Sequence, residues 1–204
     1  VDDMGVFQVV DYLTYDGCFT NENLRAKSVA GADPKYVMLV SGLRVGSVEV
    51  PRSDDEENSE LAIQLMFDFL AGRIGSEDDV RKASRISRVI VAGNSVELPV
   101  ADTEGAIAAG TVFGTNKTKL EKLQQEMSAA TMKKFDAYLA QGLGSCNIDL
   151  MPGAEDPTTE TLPQQVLHPC LFPHSSRFDS LNLATNPYDA RVDECRFVGH
   201  AGQP

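Results

Sequence analysis

Two short, uninterrupted apolar runs constrain this chain more than any other feature: Tyr36-Val37-Met38-Leu39-Val40 and Val89-Ile90-Val91-Ala92. A strand with no polar alternation is expected to bury both faces, as in a parallel sheet covered by helices. Each run stops at a glycine-bearing loop, Ser41-Gly42 and Gly93-Asn94. A third strand is expected at Cys146-Asn147-Ile148-Asp149-Leu150-Met151, before Pro152-Gly153. Between the runs, Leu61, Leu65, Met66, Phe69 and Leu70 recur at helical spacing, closed by Gly72 and Gly75. A longer helix is expected from Thr118, with Glu121 completing a capping box. Its apolar stripe is Leu120, Leu123, Met127, Ala130, Phe135 and Leu139, with Gly142 as the stop. Three β-rich pieces follow at Leu181 to Ala184, Ala190 to Val192 and Arg196 to Val198. The fold class is α/β. No domain linker or repeat is visible. The last strand has little after it to cover a sheet edge, and the opening residue is Val1, so a partial domain of a longer protein is expected.

Composition narrows the function. The 204 residues carry 30 Asp and Glu against 18 Lys and Arg, a net charge of −12. Phosphate neutralisation supplies most nucleic-acid affinity, so a protein partner is expected rather than direct DNA contact. The acidic run Asp54 to Glu57 reads as a solvated loop. No apolar stretch approaches the ~20 residues of a membrane span, and Val1 to Val10 lacks the basic cluster of a signal peptide. The four cysteines are widely spaced. That argues against a zinc knuckle and points to reduced thiols, with Cys146 and Cys195 expected inside strands. The stretch from Pro152 to Pro173 reads as an ordered loop over the surface.

The three strand-end loops are where an open α/β sheet places its chemistry. They also follow the frame of the calcineurin-like metallophosphoesterases, which hold two metal ions on Asp-x-His, Gly-Asp-x-x-Asp and Gly-Asn-His-Asp loops. Carboxylates, imidazoles and an amide in that number clamp the attacking and leaving oxygens. Here the frame persists and the ligands are missing. Gly42 stands at the first Asp position and Arg44 at the first His position. Arg44 is a permanent cation that repels a metal. Asn94 replaces the bridging Asp, with Glu97 nearby, and Ala154-Glu155 replaces Asn-His ahead of Asp156. In the later Gly-His motif, Ala201 stands where the His belongs, leaving His200 one position out of register. His168 and His174 lie in the Pro-rich loop and read as structural. No Gly-x-Ser-x-Gly, Walker or dinucleotide motif is present.

Several longer runs carry a closer resemblance: Asp149-Leu150-Met151-Pro152-Gly153-Ala154-Glu155-Asp156-Pro157-Thr158, Leu162-Pro163-Gln164-Gln165, Leu167-His168-Pro169-Cys170 and Phe172-Pro173. Gly5-Val6-Phe7, Asp11-Tyr12, Leu39 to Leu43, Ser87 to Asn94, Thr185-Asn186-Pro187-Tyr188, Arg196-Phe197, Gly199 and Gly202-Gln203 continue it in the same order. Together they resemble the B-subunit family of replicative DNA polymerases, in its delta branch. The acidic stretch around Asp54 departs from the family, which often has Gly-rich sequence there.

The resemblance implies a calcineurin-like phosphoesterase fold, a β-sandwich flanked by helices, with its metal site lost. It makes residues 1–204 one inactive phosphoesterase-like domain, lacking the family's N-terminal oligonucleotide-binding fold and the C-terminal end of the domain. It implies a non-catalytic nuclear subunit without a cofactor. Its partners would be the C-terminal region of the polymerase delta catalytic subunit and a third accessory subunit, in replication and repair synthesis. DNA would be met only through the complex, and no membrane is implied. The alternative is a metal-dependent phosphoesterase using a degenerate site of Asn94, Glu97, Glu155 and Asp156. Arg44, at a vacated ligand position, is expected to pair with Glu97 or Asp156.

Overall fold

In the computed structural model the described residues are 34–46, 54–98 and 117–202, without the side chains of 54–59, 117–121 and 123–124. Gly5 to Phe7, Asp11-Tyr12, Ser47 and Gln203 lie outside them. The elements are β1 (Tyr36–Val40), β2 (Val45–Gly46), α1 (Asp54–Leu70), α2 (Glu77–Ala83), β3 (Ile86–Ala92), β4 (Val96–Glu97), α3 (Lys117–Leu143), β5 (Asn147–Met151), β6 (Leu181–Leu183), β7 (Tyr188–Val192) and β8 (Cys195–Gly199). Short 3₁₀ turns occupy Pro169–Leu171 and Ser175–Arg177.

Among the described residues the main sheet has four strands in the order β1-β3-β5-β6, all parallel. Side chains alternate across a strand, so β3 and β5 each feed two cores. Val89, Val91, Ile148 and Leu150 meet Ile63, Phe67, Phe135 and Leu139 from the helices. Ile90 and Met151 point the other way and pack with Tyr188 of the antiparallel β7–β8 hairpin, joined by Ala190 and Phe197. The α/β class is therefore observed. Helices cover one face of the sheet, however, and a hairpin covers the other.

Several local expectations change. Among the described residues β1 is the outer strand of its sheet, and Tyr36 and Leu39 are 45% and 67% exposed, so continuous apolar character did not mean burial on both faces. The acidic run Asp54 to Glu57 is the first turn of α1 and not a loop; carboxylates favour that position because the helix dipole is positive there. The buried side of α1 is Ile63, Phe67 and Leu70, with Met66 packed against it, while Leu61 and Leu65 face outward. In α3, Phe135 and Leu139 are buried as expected, but Met127 and Ala130 are exposed, and Met132 and Leu143 complete the core face. α3 starts at Lys117, so Thr118 lies inside the helix; its side chain and those of Leu120, Glu121 and Leu123 lie outside the described residues.

Gly142 does not stop α3, which runs on to Leu143. A Cβ there would stand 2.8 Å from the Phe67 ring, so the glycine is a close-packing position between α1 and α3. Gly72, by contrast, ends α1 with φ +67. Helix α2 is an addition to the elements expected from the apolar pattern. Ser76-Glu77-Asp78-Asp79 was its visible signal: Ser76 Oγ accepts from the Asp79 amide, and Asp79 Oδ2 accepts from the Ser76 amide. Cys195 is exposed and not a buried strand thiol.

Cys146 is half-buried, and its Sγ lies 3.7 Å from the Gly142 carbonyl oxygen. Burial pushes its thiol up to about 11. The folded chain then keeps a proton that the unfolded chain has lost, so stability falls as pH rises from the ordinary thiol range through about 11. Iodoacetamide at pH 8.5 should label Cys170 and Cys195 well before Cys146, a pattern that peptide mapping reads directly. Equal labelling of all three would contradict the packing around Cys146.

Candidate functional site

The loops after β1, β3 and β5 meet at one end of the sheet. The Gly42, Arg44 and Val45 amides donate to the carbonyls of Gly93, Asn94 and Ser95 at 3.0–3.1 Å. These bonds lead into the short β2–β4 pairing, which sets Gly46 beside Glu97. Gly42, Arg44, Gly93 and Asn94 all have positive φ, between 46° and 79°. That left-handed region is routine for glycine and tolerated by asparagine. Arg44 has neither excuse and is held there by the bonds of the loop pair.

The third loop closes on the second. A Cβ on Gly153 would lie 2.4 Å from the Asn94 backbone nitrogen, and one on Gly93 would lie 2.7 Å from the Ala201 Cβ. The two glycines thus permit a backbone contact that a side chain forbids. Asn94 Oδ1 accepts from the Glu155 amide at 3.3 Å. Gly42, Arg44, Asn94, Glu97, Ala154, Glu155, Asp156 and Ala201 are all carried by segments converging on this end of the sheet.

The acids there are committed to different tasks. Asp156 is buried. Its Oδ1 accepts from the Ser95 and Val96 amides at 2.8 and 3.1 Å, and its Oδ2 from the Gly153 amide at 2.8 Å. Burial raises its pKa above the ordinary carboxylate value, opposed by the backbone donors of Gly153, Val96, Ser95 and Asn94. Asp156 therefore staples the second loop to the third. Arg44 does not reach it. The Arg44 Nη2 instead donates to Glu155 Oε1 at 2.9 Å, and that bond, with Glu97 adding through-space attraction, raises the guanidinium pKa. The expected pairing of Arg44 with Glu97 is thus through-space support, and the direct partner is Glu155.

Both members of the Arg44–Glu155 pair are about half exposed, and such pairs contribute little in water. Arg44→Ala should lower the melting temperature only slightly at low salt, and the difference should vanish in 0.5 M salt by differential scanning fluorimetry. A large, salt-independent loss would mean that the side chain has a buried role.

The histidines serve their own loops. His168 Nδ1 accepts from the Cys170 amide at 3.2 Å, and His200 Nδ1 from the Gly202 amide at 3.0 Å. The His174 amide donates to Asp136 Oδ2 at 2.9 Å. Among the described residues no group of three or more His, Cys, Asp or Glu is placed to hold a metal ion.

Two positions with large structural roles have little or no signature in the sequence. Gln164, fully buried, donates from Nε2 to the carbonyls of Gly153 and Thr159, and its Oε1 accepts from Asn186 Nδ2 at 2.8 Å. It ties the Pro-rich loop to the third strand-end loop. Asp149, also fully buried, accepts two bonds from Arg88 Nη1, at 2.8 and 2.9 Å, and one from the Tyr188 hydroxyl. A single acid inside an apolar strand was the available signal for Asp149. A buried Gln inside a loop leaves none.

Residues 37–204 match the family of the DNA polymerase alpha/epsilon B-subunit. The chain belongs to that family. Among its relatives, a DNA polymerase delta small subunit from Oryza sativa subsp. japonica is 35% identical over 171 residues, covering 84% of this chain and 35% of that protein. The Arabidopsis thaliana DNA polymerase delta small subunit is 35% identical over 84% of this chain and 34% of its own length. The Saccharomyces cerevisiae DNA polymerase delta small subunit is 30% identical over 91% of this chain and 33% of its own length. As a B-subunit family member, the chain spans about a third of the length of the curated relatives it matches. No helix among the described residues is long and apolar enough to cross a membrane.

Proposed function

We propose that this chain is part of a non-catalytic accessory subunit of DNA polymerase delta, a scaffold joining the catalytic subunit to a further accessory subunit in nuclear replication and repair synthesis. Family membership and the delta names of the relatives support the complex. The observation that carries the non-catalytic reading is the state of the strand-end loops. Arg44 is ion-paired where a metal ligand would stand, and both carboxylate oxygens of Asp156 are taken by backbone amides. In this reading the loops are those of a calcineurin-like domain whose metal site has become a hydrogen-bonded clasp.

The test is co-purification of the full-length protein with the C-terminal region of a polymerase delta catalytic subunit. Stable co-elution is the expected result, and failure with well-folded protein would overturn the scaffold. A manganese-dependent phosphodiesterase assay on the same preparation separates the alternative. Hydrolysis abolished by Glu155→Gln, with the fold intact, would establish a working degenerate site in place of a clasp.

A further inference from the structure

We propose that a groove along α3 docks an acidic amphipathic segment of a partner protein. Two cavities share one flank of the helix. One, of about 310 Å³, is lined by Ala129, Met132 and Lys133 against Leu171 and Pro173. The other, of about 590 Å³, is lined by Ala137 and Ala140 against His174, Arg177 and Phe178. Lys133 and Ala137 are one helical turn apart, and Pro173 and His174 are consecutive, so the two cavities follow one another along the seam between α3 and the segment carrying the 3₁₀ turns, which the bonds from the His174 and Ser175 amides to Asp136 hold together beneath them. The stretch of α3 from Ser128 to Ala140 is about 18 Å long at 1.5 Å per residue, enough to seat about twelve residues of a second helix.

The lining specifies the occupant. Its floor is apolar, alanines on α3 leave room for close approach, and the Phe178 ring is 40% exposed at one end. Its basic side chains are Lys133, His174 and Arg177, all exposed, and no acid is among the described lining residues. In a chain of net charge −12 this is a local inversion of sign. Among the described residues, Lys133 and Arg177 enter no salt bridge, whereas Arg44, Arg73, Arg81, Arg88 and Arg196 each have a carboxylate partner. An apolar floor with unpaired cations on its rim is complementary to a helix bearing Leu or Phe at i, i+3, i+4 and i+7 with Asp or Glu beside them. Leu98 and Pro157, at the far ends of the second and third strand-end loops, also line the first cavity, but Gly42, Arg44, Asn94, Glu155 and Asp156 do not, and the proposal stands whether or not the scaffold reading does.

The experiment is selection of peptides from a displayed random twelve-residue library on the full chain, followed by fluorescence anisotropy of the enriched peptides. Enriched sequences should combine acidic residues with apolar ones at helical spacing. Binding of the best peptide should weaken about tenfold with Arg177→Glu, as one rim attraction becomes a repulsion, and should fall with added salt. Lys133→Glu should act in the same direction. Both residues are exposed and without a salt bridge, so circular dichroism and melting should show the variants folded as the parent. Absence of enrichment, enrichment without acids, or affinity untouched by Arg177→Glu overturns the proposal. A dimer in light scattering that Arg177→Glu dissociates would show a second copy in the groove and overturns it equally.

Discussion

Replacing Asp149 by Ala is expected to destabilise the fold by about 3–5 kcal/mol, the cost of leaving a buried charge without its partner. For a domain of this size that corresponds to a fall in melting temperature of about 10 °C. Asp149 is fully buried on β5, and the Arg88 side chain beside it on β3 is 25% exposed. Arg88 Nε is already buried without a hydrogen-bond partner, so removing the carboxylate takes away the bonds that Nη1 makes. Tyr188 loses its acceptor in the same step. Desolvation and the bond to Asp149 hold its phenol pKa well above the ordinary value, so it remains a donor throughout the neutral range. Tyr188→Phe alone removes one hydrogen bond and should cost about 1 kcal/mol. The triple change Arg88→Met, Asp149→Leu, Tyr188→Phe should recover most of the loss, since a buried ionic cluster and an apolar one of similar volume are often equivalent. Urea melts of the three proteins check this. A single-site Asp149→Ala melt near the parent's would show that the cluster is hydrated and not buried.

Gly153→Ala is the second large effect, expected at about 3 kcal/mol, in the upper range for overpacking. The obstacle is backbone: the new Cβ would meet the Asn94 nitrogen at 2.4 Å and the Gly93 Cα at 2.9 Å. Neither atom can rotate away as a side-chain tip would. The strand-end loops must separate, and the amides of Ser95 and Val96 must then loosen from Asp156. Hydrogen exchange at those two amides should accelerate more than exchange within β3, a local readout of the clasp. Unchanged exchange in a destabilised protein would place the strain elsewhere.

The outcome at the individual elements shows what kind of information a sequence holds. β3, β5 and the three closing strands were legible because apolar runs and turn residues are local. Gly42, Arg44, Asn94, Glu155, Asp156 and Ala201 were legible as strand-end residues because each follows a strand-like run. Their partners were not: Arg44 faces Glu155, while Asp156, three residues after Gly153, turns inward to amides of another loop. The burial errors share one cause. Leu61, Leu65 and Met127 have the right spacing for a core stripe, and Leu39 sits in the right kind of run, yet all four are exposed. Spacing says which residues share a face, and only a neighbouring element covers that face.

Composition and pattern by themselves determined that this chain is an acidic α/β protein with glycine loops at its strand ends, and the resemblance of its longer runs to known relatives pointed to its family. Both follow from residue identities in order. Only the tertiary structure decided which side of each helix is core, why Gly142 and Gly153 must lack a side chain, and that Asp149 and Gln164 hold buried networks together. Those depend on distances between residues far apart in the chain, because burial and hydrogen bonding are properties of neighbours in space.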